Sequence, residues 1–96
     1  MKLTPARIER TLSQYDAQAI PDTHPVVPEF NNLFGEHTFF IDQTGLSIIE
    51  PIAPPEDGIE AARVVKLAKW IDESRSRLAP HERETTDLVV VLAKAA

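Results

Sequence analysis

Three histidines, His24, His37 and His81, are the side chains of this sequence best suited to move a proton or hold a metal near neutral pH. His24 and His37 stand in neighbouring segments with Glu29 and Glu36. Two imidazoles and one carboxylate can hold a metal or a small ligand, so a site near His24, Glu36 and His37 is conceivable. No two histidines have the i, i+4 spacing of a helix-borne zinc site. His24 precedes a proline and reads as a solvated loop residue. The expectation is therefore no metal.

Glu36, His37, Asp42 and Glu50 include the groups needed for general acid–base work. A hairpin would hold Asp42 roughly 15 Å from His37 by strand rise, too far for the two to cooperate. Glu50 reads as a hydrated carboxylate at a strand end. Ser13, Ser47, Ser74 and Ser76 lie in no nucleophile-elbow context, and three widely spaced glycines make no phosphate-cradling loop. No catalytic residue and no cofactor is assigned. The sequence has no cysteine, which excludes disulfides, thiolate chemistry and cysteine-ligated zinc.

Ninety-six residues fit one small α+β domain, residues 1–96. Fifteen acidic residues against ten Lys plus Arg leave a net charge of −5. That balance argues against nucleic acid or an anionic membrane as partner, since phosphate binding needs a basic footprint. Met1 to Pro5 leads into no apolar core of a signal peptide. The longest apolar run, Leu88 to Ala93, is too short for a bilayer. Missing cysteines suit a reducing compartment, so the cytoplasm is the expected location.

The elements that would position these groups follow from pattern. Thr4 as N-cap and Pro5 at the first helical position open a helix expected to run to about Ala19, with Ile8, Leu12, Tyr15 and Ala19 as its stripe. Three prolines make Pro21 to Pro28 an extended connector. Pro28 to Gly35 reads as one or two helical turns presenting Phe30, Leu33 and Phe34 as one apolar knob. Glu36 to Pro51 reads as a β-hairpin around Asp42-Gln43-Thr44-Gly45, with Gly45 as a left-handed bulge residue. A long helix is expected from near Glu56 to Pro80, acidic at Glu56, Asp57 and Glu60. Its wide apolar side would hold Ile59, Ala62, Val64, Val65, Leu67, Ala68, Trp70, Ile71 and Leu78. Ala79 to Asp87 reads as a loop, and Leu88 to Leu92 as a buried strand.

The resulting fold class is a two-layer αββαβ domain, a two- or three-stranded antiparallel sheet packed on two helices. The alternative is αββαα with a C-terminal helix. In the hairpin register that pairs Phe40 with Ile48, Phe40, Leu46 and Ile48 point one way. Phe39, Ile41 and Ile49 point the other. A hairpin apolar on both faces needs two covers. The function expected on this ground is a small non-enzymatic interaction protein that self-associates as a homodimer or binds another protein. Its candidate interface is Phe39, Phe40, Ile41, Ile48, Ile49 and Trp70. The competing expectation is small-ligand or metal binding near His24, Glu36 and His37.

Overall fold

A computed structural model describes residues 3–52, 59–72, 74 and 77–94. Thr4 caps the first helix, α1 (Pro5–Gln14), its side chain accepting from the Arg7 N–H at 3.4 Å. Pro5 occupies the first turn, where a missing donor costs nothing. The helix ends a turn earlier than the pattern predicts. Gln18–Ala19 is instead strand β1, because its backbone pairs with β2 (Phe40–Ile41) and Ile20 N–H donates to Phe39 C=O at 2.8 Å. The second helix, α2 (Val27–Phe34), has proline in its first turn and ends on Gly35 at φ 87°, as the Pro28 to Gly35 signals predict.

β2 turns into β3 (Gly45–Pro51), which pairs with β4 (Ile59–Trp70), which pairs with β5 (Leu78–Lys94). Among the described residues the result is a five-stranded antiparallel sheet in chain order, β1-β2-β3-β4-β5, with two helices. This overturns both expected architectures. Ile59 to Trp70 is a strand, not the body of a long helix, and Ala79 to Asp87 is strand, not loop. The helix start expected at Glu56 and Asp57 lies outside the described residues. Leu88 to Leu92 is strand, as its β-branching predicts. Among the described residues, no helix is long and apolar enough to cross a membrane.

The reason for the helix misreading is visible in β4. Ala62 and Val64 face one side of the sheet, and Val65, Leu67 and Ala68 the other. A strand buried on both faces carries apolar residues at nearly every position, which mimics a broad helical stripe. A bulge adds to the disguise: Leu46 faces Ala68 and Ser47 faces Lys66, so Leu67 is inserted and shares its side with Ala68. Ala, Lys and Leu favour helix, but pairing on both edges overrides that weak preference.

The sheet is a middle layer. On one face α1 brings Leu3, Ile8, Leu12 and Tyr15 onto Phe40, Ile49, Val64 and Val90. On the other, Phe30 and Phe34 of α2 cover Phe39, Ile48, Val65 and Leu67. The observed register pairs Phe40 with Ser47 and Ile41 with Leu46, one residue away from the expected one. Ile49 therefore shares a face with Phe40, while Leu46 and Ile48 join Phe39 and Ile41. Gly45 is not the bulge residue of a three-residue loop. It lies inside β3 opposite Lys69, leaving Gln43 and Thr44 as the loop tip.

β5 forms one edge, and several features blunt it. Thr86, Asp87 and Leu88 stand opposite Val64 alone, and His81, Glu82 and Arg83 opposite Leu67 alone. Pro80 removes a donor. Gln14 of α1 holds both backbone groups of Val91, donating to its C=O and accepting from its N–H at 2.8 Å each. Bulges, proline, charges and a side-chain plug are the usual protection against strand addition. Arg7 adds a second tie from α1, donating to Glu60 of β4 through two nitrogens at 3.0 and 2.8 Å.

Candidate functional site

Among the described residues, groups that chemistry or binding could use gather in more than one place. The first is where α1 ends above the β2–β3 turn. Tyr15, the C-cap residue, is buried and reaches across to the turn. Its hydroxyl donates to Asp42 Oδ2 and accepts from Ser47 Oγ at 2.8 Å. Asp42 Oδ1 accepts from Thr44 N–H at 2.7 Å, Thr44 Oγ1 at 2.6 Å and Gly45 N–H at 3.0 Å. Lys66 donates to Thr44 Oγ1 at 3.0 Å, and Trp70 Nε1 donates to the Asp42 carbonyl at 2.9 Å.

A serine, a tyrosine and an aspartate in hydrogen-bonded series invite a catalytic reading, but the geometry is that of a clasp. Ser47 is 1% exposed, so no substrate reaches it. The Asp42 carboxylate already accepts four hydrogen bonds. Burial pushes the Tyr15 phenol well above the ordinary tyrosine value, and the bond to Asp42 adds to that, while the bond from Ser47 pulls weakly the other way. Burial pushes the Asp42 carboxyl up too. The donors Thr44 hydroxyl, Tyr15 hydroxyl and the Thr44 and Gly45 N–H groups outweigh it and hold the group below the usual carboxylate range.

Both shifts tie stability to pH. The depressed Asp42 carboxyl contributes stability present above the ordinary carboxylate range and lost as pH falls through its folded value. The raised Tyr15 phenol contributes stability fully present below the ordinary value of about 10 and lost as pH climbs toward its folded value. Tyr15 is the only tyrosine, so its phenolate absorbance is unmixed. The band should stay absent through the ordinary tyrosine range and emerge only as the far-ultraviolet dichroism collapses. A phenolate rising near pH about 10 in an intact fold would contradict the clasp.

The second place lies where α2 meets the sheet. An eight-residue helix is only about 12 Å long and cannot seal the sheet face beneath it. A cleft of about 730 Å³ opens along it, walled by Phe30, Phe34, Ile41, Leu46, Trp70 and Leu78, with His24 and Glu29 at its polar edge. Further clefts of about 380 and 230 Å³ adjoin Ile41, the former also reaching Trp70 and the side of Asp42. Trp70 is half-buried, and its indole is fixed by the bond to the Asp42 carbonyl. Leu33 at the cleft is 59% exposed, and Ile71, directly after Trp70, is 62% exposed.

The six apolar residues expected at an interface thus separate. Phe39, Phe40, Ile48 and Ile49 are buried under the chain's own helices, so they present no outer face, which corrects that part of the expectation. Ile41 and Trp70 line open clefts. His24 lines the large cleft, its Nδ1 accepting from Val26 N–H at 3.1 Å, whereas the His37 ring stands edge-on to Phe39 at 6.1 Å. Among the described residues no three His, Cys, Asp or Glu side chains gather as a metal would require. Sequence reasoning missed the clasp, because only the fold brings Tyr15 and Ser47, 32 residues apart, together. No family model, no curated protein and no solved structure matches this chain.

Proposed function

We propose that this protein is a non-catalytic protein-interaction module that docks a partner's apolar side chains on the surface around Ile41, Trp70 and the α2 cleft. The observation that carries the reading is the convergence of three clefts on Ile41, two of them sharing a rigidly held tryptophan, beside exposed Leu33. Solvent-facing apolar residues gathered around an aromatic anchor are the usual form of an interaction site. The volume and the apolar wall with few polar groups also suit a pocket. The clasp supports the non-catalytic half of the proposal, since its acid, hydroxyls and phenol spend their hydrogen bonds on one another.

Trp70 is the only tryptophan, so its fluorescence reports on this surface alone. Peptides selected from a displayed library should carry apolar anchors and shift that emission. They should lose at least tenfold in affinity for Leu33→Glu, a change at an exposed position that leaves the core intact. Selected peptides that bind the variant equally well, or a library that yields none, would overturn the proposal. A second copy of the chain is one partner that always carries the matching surface. Sedimentation that shifts with concentration, and stops shifting in Leu33→Glu, identifies self-association. A constant monomer identifies a different protein as partner.

A further inference from the structure

His81 lies outside the docking face, and its setting is unusual. It sits in the first of the β5 bulges along the chain, where His81, Glu82 and Arg83 stand opposite Leu67 alone. Bulges of this kind re-aim side chains. His81 lines a cleft of about 430 Å³, together with Leu33, Phe34 and Leu67 and the charged residues Glu82 and Arg83. Nδ1 lies 2.6 Å from the Glu82 carbonyl oxygen. A carbonyl only accepts, so Nδ1 carries a proton, and in the neutral ring Nε2 carries the lone pair. That Nε2 is buried and has no hydrogen-bond partner among the described residues, a condition shared only with Asn31 Oδ1. Buried acceptors without partners are rare because each forfeits its hydration.

Resting on the docking face as read above, we infer that the partner's anchor beside the last turn of α2 is a tyrosine, its ring against Phe34 and Leu67 and its hydroxyl donating to His81 Nε2. The chemistry selects this occupant. Between the exposed charges of Glu82 and Arg83 the site offers the Nε2 acceptor beside apolar Leu33, Phe34 and Leu67, so the complement of that part is an apolar ring with a donor at the tip. A carboxylate brings no donor. A lysine brings a donor but no ring to set against Phe34 and Leu67. A lone water would satisfy Nε2 and leave Phe34, Leu67 and Leu33 unused. Leu33 and Phe34 also wall the large cleft, so the anchor adjoins the face centred on Trp70. Leu33 is exposed and is the lining side chain with room to give way, whereas Arg83 is held by its ion pair with Glu50.

The intact protein is titrated with p-cresol, the tyrosine side-chain analogue, and with its methyl ether, which keeps the ring and lacks the donor. Nitrogen NMR follows the three imidazoles. The expected result is that p-cresol binds about fivefold to tenfold tighter than the ether, the worth of one hydrogen bond. The His81 Nε2 signal should move while His24 and His37 stay put. His81→Phe should level the two ligands. Where that variant fails to fold, nuclear Overhauser contacts from the cresol ring to Phe34 and Leu67 in the unaltered protein carry the test. Equal affinity for the two probes overturns the inference, as does a preference that survives His81→Phe. So does an Nε2 signal already hydrogen-bonded and unmoved by cresol, the mark of bound water only. Displayed peptides that bind without tyrosine and move Trp70 but not His81 uphold the docking face and overturn the anchor. Cresol discrimination at His81 with no peptide on the face upholds the anchor site and overturns the face.

Discussion

Gly45→Ala should lose about 2–6 kcal/mol of stability, enough to threaten a domain whose total is roughly 5–15 kcal/mol. Gly45 has φ 143°, in a region that side chains rarely adopt. A Cβ there would also stand 2.1 Å from the Ala68 carbonyl oxygen and 2.9 Å from Lys69 Cα. Those atoms belong to the backbone of β4, which pairs on both edges, and cannot swing aside as a side-chain tip would. Relief would require β3 and β4 to separate next to the bulge at Leu67, and the Asp42 clasp would lose its Gly45 N–H donor. Urea unfolding followed by Trp70 fluorescence measures the effect. An unchanged midpoint would mean that the two strands do not approach this closely.

The second large effect is a pair. Phe39→Ala and Phe40→Ala should each cost about 3–5 kcal/mol, although the two residues are neighbours on opposite faces. Phe40 meets Tyr15 edge-on, with ring centroids 6.3 Å apart, on the α1 side. Phe39 packs against Phe30 at 5.2 Å and Phe34 at 6.4 Å on the α2 side. The comparison is sharper than either number. A sheet with one face open to solvent or to a partner would show one expensive and one cheap truncation in the isolated chain. Two expensive ones mean that the chain covers both faces by itself. Chemical denaturation at several protein concentrations makes the measurement. A loss below about 1 kcal/mol at either position would place that face in the open.

What was legible in the sequence was local. Thr4-Pro5 and Pro28 with Gly35 mark the helix starts and the C-cap of α2, because caps and proline positions are set by the nearest few residues. The two apolar faces of the hairpin were legible too, since alternation survives a one-residue slip in register. Its covers were not, because they are made by distant pairings. β4 misled because it combines helix-favouring residues, burial on both faces and an inserted Leu67 that erases the period of two. His81 to Asp87 misled in the opposite direction. An exposed edge strand is polar and charged by need, so composition alone does not separate it from a loop. For the proposed docking face, Trp70 and Ile41 stood among six apolar candidates in the sequence, and their separation from Phe39, Phe40, Ile48 and Ile49 required knowing where α2 stops. His81 was visible only as a histidine, since the bulge that turns it inward is a property of the pairing with β4.

The bond between Gln14 and Val91 also sets an order of events. The two residues are 77 positions apart, and Val90 and Leu92 lie in the same cluster as Ile8, Leu12 and Tyr15. At about 5–20 residues per second, the ribosome delivers the helix roughly 4–15 s before the strand it packs on. Through that interval the apolar stripe of α1 has only an incomplete sheet to cover. Contacts this distant in sequence also slow folding after release, because a long loop must close before they form. The molecule should therefore fold as one late, cooperative unit, with α1 locking only once the last strand is in place.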